Sequence, residues 1–183
     1  MDNKPYRLGL LVGRFQTLHK GHEDMIDTAC VLCDRVVIMV GSAQEENTNK
    51  NPFSYEMRKE ILHTAFGDKI EVYPMVDIGV GNVAKWGEYV IKCVVDSCGE
   101  MPDLLVSGKE ERRIDWFDGV NIKISELYIP KTIDISATQM REFFINDDFE
   151  SFKEYTNANL WDMYDKMRKI VLSSKDNLDT DSV

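Results

Sequence analysis

The apolar run Leu8 to Val12, LGLLV, stops at Gly13 and gives way to GRFQTLHKGH, after which Met25, Ile26 and Ala29 recur at helical spacing. A short apolar run followed by a helical period reads as a buried strand turning into a helix, with the decapeptide as the connection. This is a place where anions bind. Glycines such as Gly13 and Gly21 let backbone N–H groups come close to a ligand, and the exposed amides and dipole at a helix start favour negative charge. His19 and His22 then face one ligand from the first turn of that helix, with Arg14 beside them. A lone histidine in a turn is ordinarily a solvated one, but two histidines, an arginine and two glycines in ten residues point to a phosphate site.

The same alternation continues along the chain. A helix is expected from about Gly21 to Cys33, Arg35 to Gly41 (RVVIMVG) is a second apolar strand, and Ser42 to Asn51 is a polar loop. A helix follows Pro52, with Ser54 as its N-cap. Lys69 to Val76 alternates as a third strand, Val83 to Asp96 is helical, Asp103 to Val106 is a fourth strand, and Asn121 to Ile129 a fifth. Strands alternating with helices predict an α/β fold of the Rossmann-like, doubly wound kind: a parallel five-stranded sheet, helices on both faces, and a helical C-terminal segment. Ligands in such sheets bind beyond the carboxyl ends of the strands, where the strand order switches direction. Further on, Ser136 followed three residues later by Gln139 is a capping box that starts a helix at Ala137. That helix offers a second anion-binding N-terminus, with the Thr138 hydroxyl beside it and Arg141 one turn on.

At 183 residues with 43% apolar residues the chain suits one domain, expected over 1–172, with the polar end 173–183 (SSKDNLDTDSV) frayed. No window approaches the roughly 20 apolar residues of a membrane span, and MDNKPYR lacks the apolar core of a signal peptide, so a cytoplasmic protein is expected. A net charge of −10 repels nucleic acid and anionic membranes, which excludes both as partners. Yet Arg14, Lys20, Arg58, Lys109, Arg112, Arg113 and Arg141 fall inside the motifs, and a local basic cleft suits a small polyanion. Cys30 and Cys33 form a CxxC and Cys93 and Cys98 lie five apart. Zinc is one reading of that pattern; small buried hydrophobes in a reducing compartment, with no metal site, is the reading preferred here.

GRFQTLHKGH also resembles the signature of the HxGH nucleotidyltransferases. GSAQEENTNKNPFSYEMR (Gly41 to Arg58), the loop Asp77 to Trp86, VSG (Val106 to Gly108) and ISATQMR (Ile135 to Arg141) narrow the resemblance to the archaeal-type nicotinamide-nucleotide adenylyltransferases, from about Tyr6 to about Arg168. The resemblance implies transfer of an adenylyl group from ATP to nicotinamide mononucleotide by direct displacement, with Mg²⁺ on the phosphates and no protein ligand named for it. It implies that His19, His22, Arg14 and Arg141 are catalytic. By the same likeness Gly13, Arg14, Phe15, Gln16, His22, Gly108, Ser136, Thr138 and Arg141 hold ATP, and Gln44, Arg58, Asp77, Asn82 and Trp86 hold the acceptor. Arg58 would take the acceptor phosphate and Trp86 would stack on the pyridinium ring by cation–π attraction. From the residues alone, core packing is the more frequent fate of a residue such as Trp86, and Arg58 reads as a solvated neighbour of Glu56 or Glu60; the likeness favours stacking for Trp86. Relatives of this type assemble into homo-oligomers. Alternatives are a related transferase acting on nicotinic acid mononucleotide or phosphopantetheine, and a nucleotide-binding regulator that does not turn over. The chain departs from the pattern at Thr17, where proline is usual, at Ala137 in place of glycine, at Lys109 after VSG, and in a slightly longer spacing from Asp77 to Trp86.

Overall fold

The computed structural model describes residues 4–79, 84–108, 116–117 and 121–176. Strand β1 (Tyr6–Gly13) is the central strand, flanked by β2 (Cys33–Val40) and β4 (Leu104–Ser107). Beyond β2 lies β3 (Glu71–Pro74) and beyond β4 lies β5 (Ser125–Tyr128), so the sheet runs β3-β2-β1-β4-β5 with every pair parallel. This is the expected Rossmann-like α/β sheet. The order reverses direction between β1 and β4, which makes the carboxyl ends of those two strands the predicted ligand crevice.

Side chains alternate between two cores, as the pleat requires. Leu11, Val36, Ile38, Val40, Leu104 and Val106 pack with helices α1 (Lys20–Leu32), α2 (Tyr55–Phe66), α4 (Ala137–Ile145), α5 (Phe149–Glu154) and α6 (Tyr164–Asp176). Leu8, Leu10, Val37, Met39 and Leu105 pack against α3 (Ala84–Cys98) on the other face. Gly87 sets how closely α3 lies on its neighbour, because a β-carbon there would stand 1.5 Å from the Trp116 carbonyl oxygen. None of the described helices is long and apolar enough to cross a membrane.

Several boundaries differ from the sequence reading. Cys33 belongs to β2 and not to the preceding helix, and its buried thiol faces Gly9, where a β-carbon would lie 2.7 Å from Sγ. Burial pushes the Cys33 thiol up to about 11. Strand β3 begins at Glu71, since Gly67 at φ 59 ends α2 and Gly67–Lys69 turns as a 3-10 segment. Strand β5 is confined to Ser125–Tyr128 at the exposed edge of the sheet. Helix α6 runs through Asp176, past the boundary expected at 172. Ser174 is buried and its hydroxyl donates to the Ile170 carbonyl at 2.9 Å, so that part of the polar end completes the helix.

Candidate functional site

The turn after β1 is held from below. Gln16 spans the gap to the segment before α2: its Nε2 donates to Phe53 O at 2.9 Å and its Oε1 accepts from Phe53 N at 3.0 Å. Beneath it the Arg58 guanidinium, fully buried, donates to the carbonyl oxygens of Arg14 (3.0 Å), Gly41 (2.9 Å), Ser42 (3.1 Å) and Ser54 (3.3 Å). Burial, with Arg14 nearby, lowers its pKa to about 10, which leaves it charged at neutral pH. Phe15, at φ 50, buries its ring over Gly13, where a β-carbon would come within 3.1 Å of it. A side chain at position 13 would push that ring away.

The Phe15 ring lies 5.0 Å from the His22 ring, which in turn lies 3.9 Å from the His19 ring. His19 sits at the N-cap of α1 with its carbonyl accepting from the amides of His22 (2.8 Å) and Glu23 (3.1 Å). Of the amides expected to face an anion here, Lys20 N is instead taken by the Tyr155 carbonyl at 2.8 Å, and Glu23 binds Asn157 N through Oε1 at 2.8 Å. The C-terminal segment thus clamps the start of α1. Both imidazoles are neutral at pH 7: burial, then the charge of Lys131, lowers His19 to about 4, and burial, then His19, holds His22 well below its usual value. The Nδ1 atoms of both rings are buried without a hydrogen-bond partner among the described residues. Two orphaned ring nitrogens side by side fit a ligand that brings hydrogen-bonding oxygens.

A pH dependence follows from these shifts. Folded-state values below the usual 6.5 mean that the unfolded chain binds more protons, so stability is full above about pH 6.5 and falls as pH drops toward about 4. The melting temperature of the protein is expected to decline from about pH 7 to about pH 5, and that of a His19→Asn/His22→Asn double variant to decline less. Equal slopes would place the titration in other groups.

The capped helix reaches the same place. Ser136 Oγ accepts from Gln139 N at 3.3 Å and donates to Gln139 Oε1 at 2.8 Å, which starts α4 as expected. Arg141 then crosses to the first turn, Nη1 donating to the Gln16 carbonyl at 2.8 Å and Nη2 to Thr138 Oγ1 at 3.2 Å. One cavity of about 990 Å³ lies over the crevice between β1 and β4, lined by Gly13, Arg14, Phe15, Gln16, His19, His22, Gly108, Ser136, Thr138 and Arg141. Every residue expected around ATP is in that wall. Asp77 and Trp86 line it as well, the indole 5.5 Å from the Tyr89 ring and edge-on to Trp116 at 6.1 Å. Trp86 therefore packs against the core and also lines the cavity. Gly108 keeps its backbone close to α1, since a β-carbon there would meet Met25 Sδ at 2.6 Å.

Two acceptor-side expectations, Arg58 and Gln44, fall outside the cavity wall. Arg58 does not reach the cavity: with its donors turned to four main-chain carbonyls it braces the loops from behind, neither solvated beside Glu56 or Glu60 nor presented to an acceptor phosphate. Gln44 stands exposed beside Asp77, its Oε1 accepting from Asp77 N at 3.2 Å. Asn82 lies outside the described residues, as do Lys109, Arg112 and Arg113. Conversely, Lys50 and Lys131 line the cavity and were not singled out from the sequence. Lys131 precedes the ISATQMR motif by only four residues, and its place after an edge strand was the available signal.

No group of three or more His, Cys, Asp or Glu side chains that could hold a metal ion occurs among the described residues. Asp24 and Asp77 are the carboxylates on the wall, which suits a hard cation carried mainly by phosphate oxygens and water and not by a protein cage.

Arginines, lysines and neutral imidazoles line a cavity at the switch point of a parallel sheet, which makes this a Rossmann-like α/β protein with a crevice suited to an anion. Over residues 10–143 the chain matches the cytidylyltransferase-like family, and it belongs to that family. It is 38% identical over 88 residues to a nicotinamide-nucleotide adenylyltransferase of Saccharolobus solfataricus, a match covering 45% of this chain and 50% of that protein. The chain thus spans about half the length of the curated relatives it matches. Among solved structures, a bifunctional NMN adenylyltransferase/ADP ribose pyrophosphatase from Francisella tularensis superposes with a TM-score of 0.75 at 22% identity, covering 94% of this chain and 54% of that one. The same protein complexed with AMP and a manganese ion superposes with a TM-score of 0.72 at 24% identity, covering 93% and 51%. These likenesses establish the fold.

Proposed function

We propose that the protein joins ATP and nicotinamide mononucleotide to give NAD and pyrophosphate. The observation that carries this reading is the meeting of two distant motifs on one cavity, with Arg141 bonded to Gln16 across the chain. A phosphate oxygen of the acceptor attacks the α-phosphorus of ATP; the new P–O bond forms as the bond to the bridging oxygen breaks, and pyrophosphate leaves with the electron pair. No covalent nucleophile on the protein takes part. His22, neutral and with one ring N–H to give, donates to an α-phosphate oxygen as charge gathers there, and His19 holds the phosphate beside it. Arg14 and Arg141 align the triphosphate, with the Ser136 and Thr138 end of α4 as a further anion seat. Magnesium, if carried in on the phosphates, supplies charge neutralisation there. Trp86 offers its indole face to the pyridinium ring of the acceptor, and Asp77 its carboxylate. The working place of such an enzyme is the cytoplasm.

The relatives' names support the acceptor as nicotinamide mononucleotide. The test is pyrophosphate release from ATP with nicotinamide mononucleotide, nicotinic acid mononucleotide and phosphopantetheine in turn. Release with the first alone, or fastest with it, is expected; preference for another acceptor reassigns the substrate, and release with none leaves a nucleotide-binding regulator.

A further inference from the structure

Arg14 is exposed at the cavity wall, and an exposed arginine can fail a phosphate in two ways: it can point away, or it can pair with a carboxylate close by. Glu45 and Glu46 supply such carboxylates from the loop after β2. Between them and Arg14 stands Asn51, only 2% exposed and outside the cavity wall. Its Oδ1 accepts from Arg14 Nη1 at 3.3 Å, and its Nδ2 donates to Glu45 Oε2. Thr48 fixes its backbone, with Oγ1 accepting from Asn51 N at 2.9 Å and Thr48 N donating to Asn51 O at 3.2 Å. The Glu45 bond settles which way round the amide sits. A half-turn of the amide would aim its NH₂ at the guanidinium and its oxygen at the carboxylate, two repulsive contacts in place of two attractive ones.

We propose that Asn51 is a positioning residue that aims Arg14 into the cavity while keeping Glu45 one side chain away, so that the guanidinium is oriented without being neutralised. A direct Glu45–Arg14 ion pair would orient the arginine equally well and would compete with the nucleotide's phosphates for it. An amide placed between the two gives the orientation and leaves the charge to the ligand. The amide is polarised on both sides, a carboxylate behind its donor and a cation before its acceptor, which strengthens each bond in the row. This inference rests on ATP being the ligand of the cavity.

The test compares the wild type with Asn51→Asp and with Asn51→Asp/Glu45→Gln. The aspartate has the asparagine's shape but sets a carboxylate against Arg14, and against Glu45 as well. Restoring a donor at position 45 removes that second clash, so the double variant is expected to recover the wild-type melting temperature. ATP affinity, measured by direct titration without acceptor, is expected to stay weaker than wild type by about tenfold or more in both variants, with KM for ATP rising by more than kcat falls. A loop staple with no bearing on Arg14 predicts that affinity returns with stability. If the double variant melts like the wild type and binds ATP within twofold of it, the positioning role is wrong while the nucleotide reading stands. A wild-type protein that binds no ATP would overturn both.

Discussion

Replacing His22 with alanine is expected to lower turnover by about 100-fold or more while the protein stays folded, the scale of losing one donor to a developing oxyanion. The ring is neutral because burial and its neighbour His19 hold its pKa well below 6.5, so the role proposed for it is that of a hydrogen-bond donor of fixed charge and not of a titrating acid. Among the described residues its Nδ1 has no hydrogen-bond partner and its ring meets those of Phe15 and His19 at a tilt. Alanine in the first turn of α1 is a good helix former and leaves the Tyr155 and Asn157 bonds to the helix start untouched. Pyrophosphate release and circular dichroism on the same sample check both halves of this expectation. Near-normal turnover would remove His22 from the chemistry.

Arg58→Ala is expected to act in the opposite manner, costing about 3 kcal/mol or more of stability before any effect on substrate is seen. The carbonyls of Arg14 and Gly41 would lose their donor in a site closed to solvent, each buried unmet acceptor costing about 1–3 kcal/mol, while those of Ser42 and Ser54 would lose one of two donors and keep the amides of Glu45 and Arg58. Arg58→Lys keeps the charge but not the planar fork that spans the β1 and β2 loops, so a partial loss is expected. Denaturant unfolding measures this directly. A loss under about 1 kcal/mol together with a raised KM for the acceptor would return Arg58 to the role of phosphate ligand that its motif suggested.

Arg58 also shows where sequence reading stops. The period of the apolar residues was enough for the order of strands and helices, because it records which face each element buries. The caps at Ser54 and Ser136 were legible because a cap is a local contact between residues three apart. Much of the cavity wall was legible too, since Gly13 to His22 and Ser136 to Arg141 sit in two compact motifs that each follow a strand. What an arginine in α2 does was not, because its partners lie up to 44 positions away and nothing local separates a solvated guanidinium from one that ties two loops together. The Gln16–Phe53 bridge and the cavity-facing Lys131 escaped for the same reason: each is set by tertiary closure. The end of α1 was placed one residue late, at Cys33, as cysteine suits a helix face and a strand start equally.

The bond from Glu23 to Asn157 joins positions 134 apart, and the Lys20 amide bond to Tyr155 lies beside it. The two termini of the fold are in this way a single inherited part: in a chimera of two relatives, a tail from one parent would have to fit the first helix of the other before the histidines it shelters could stand where their chemistry requires.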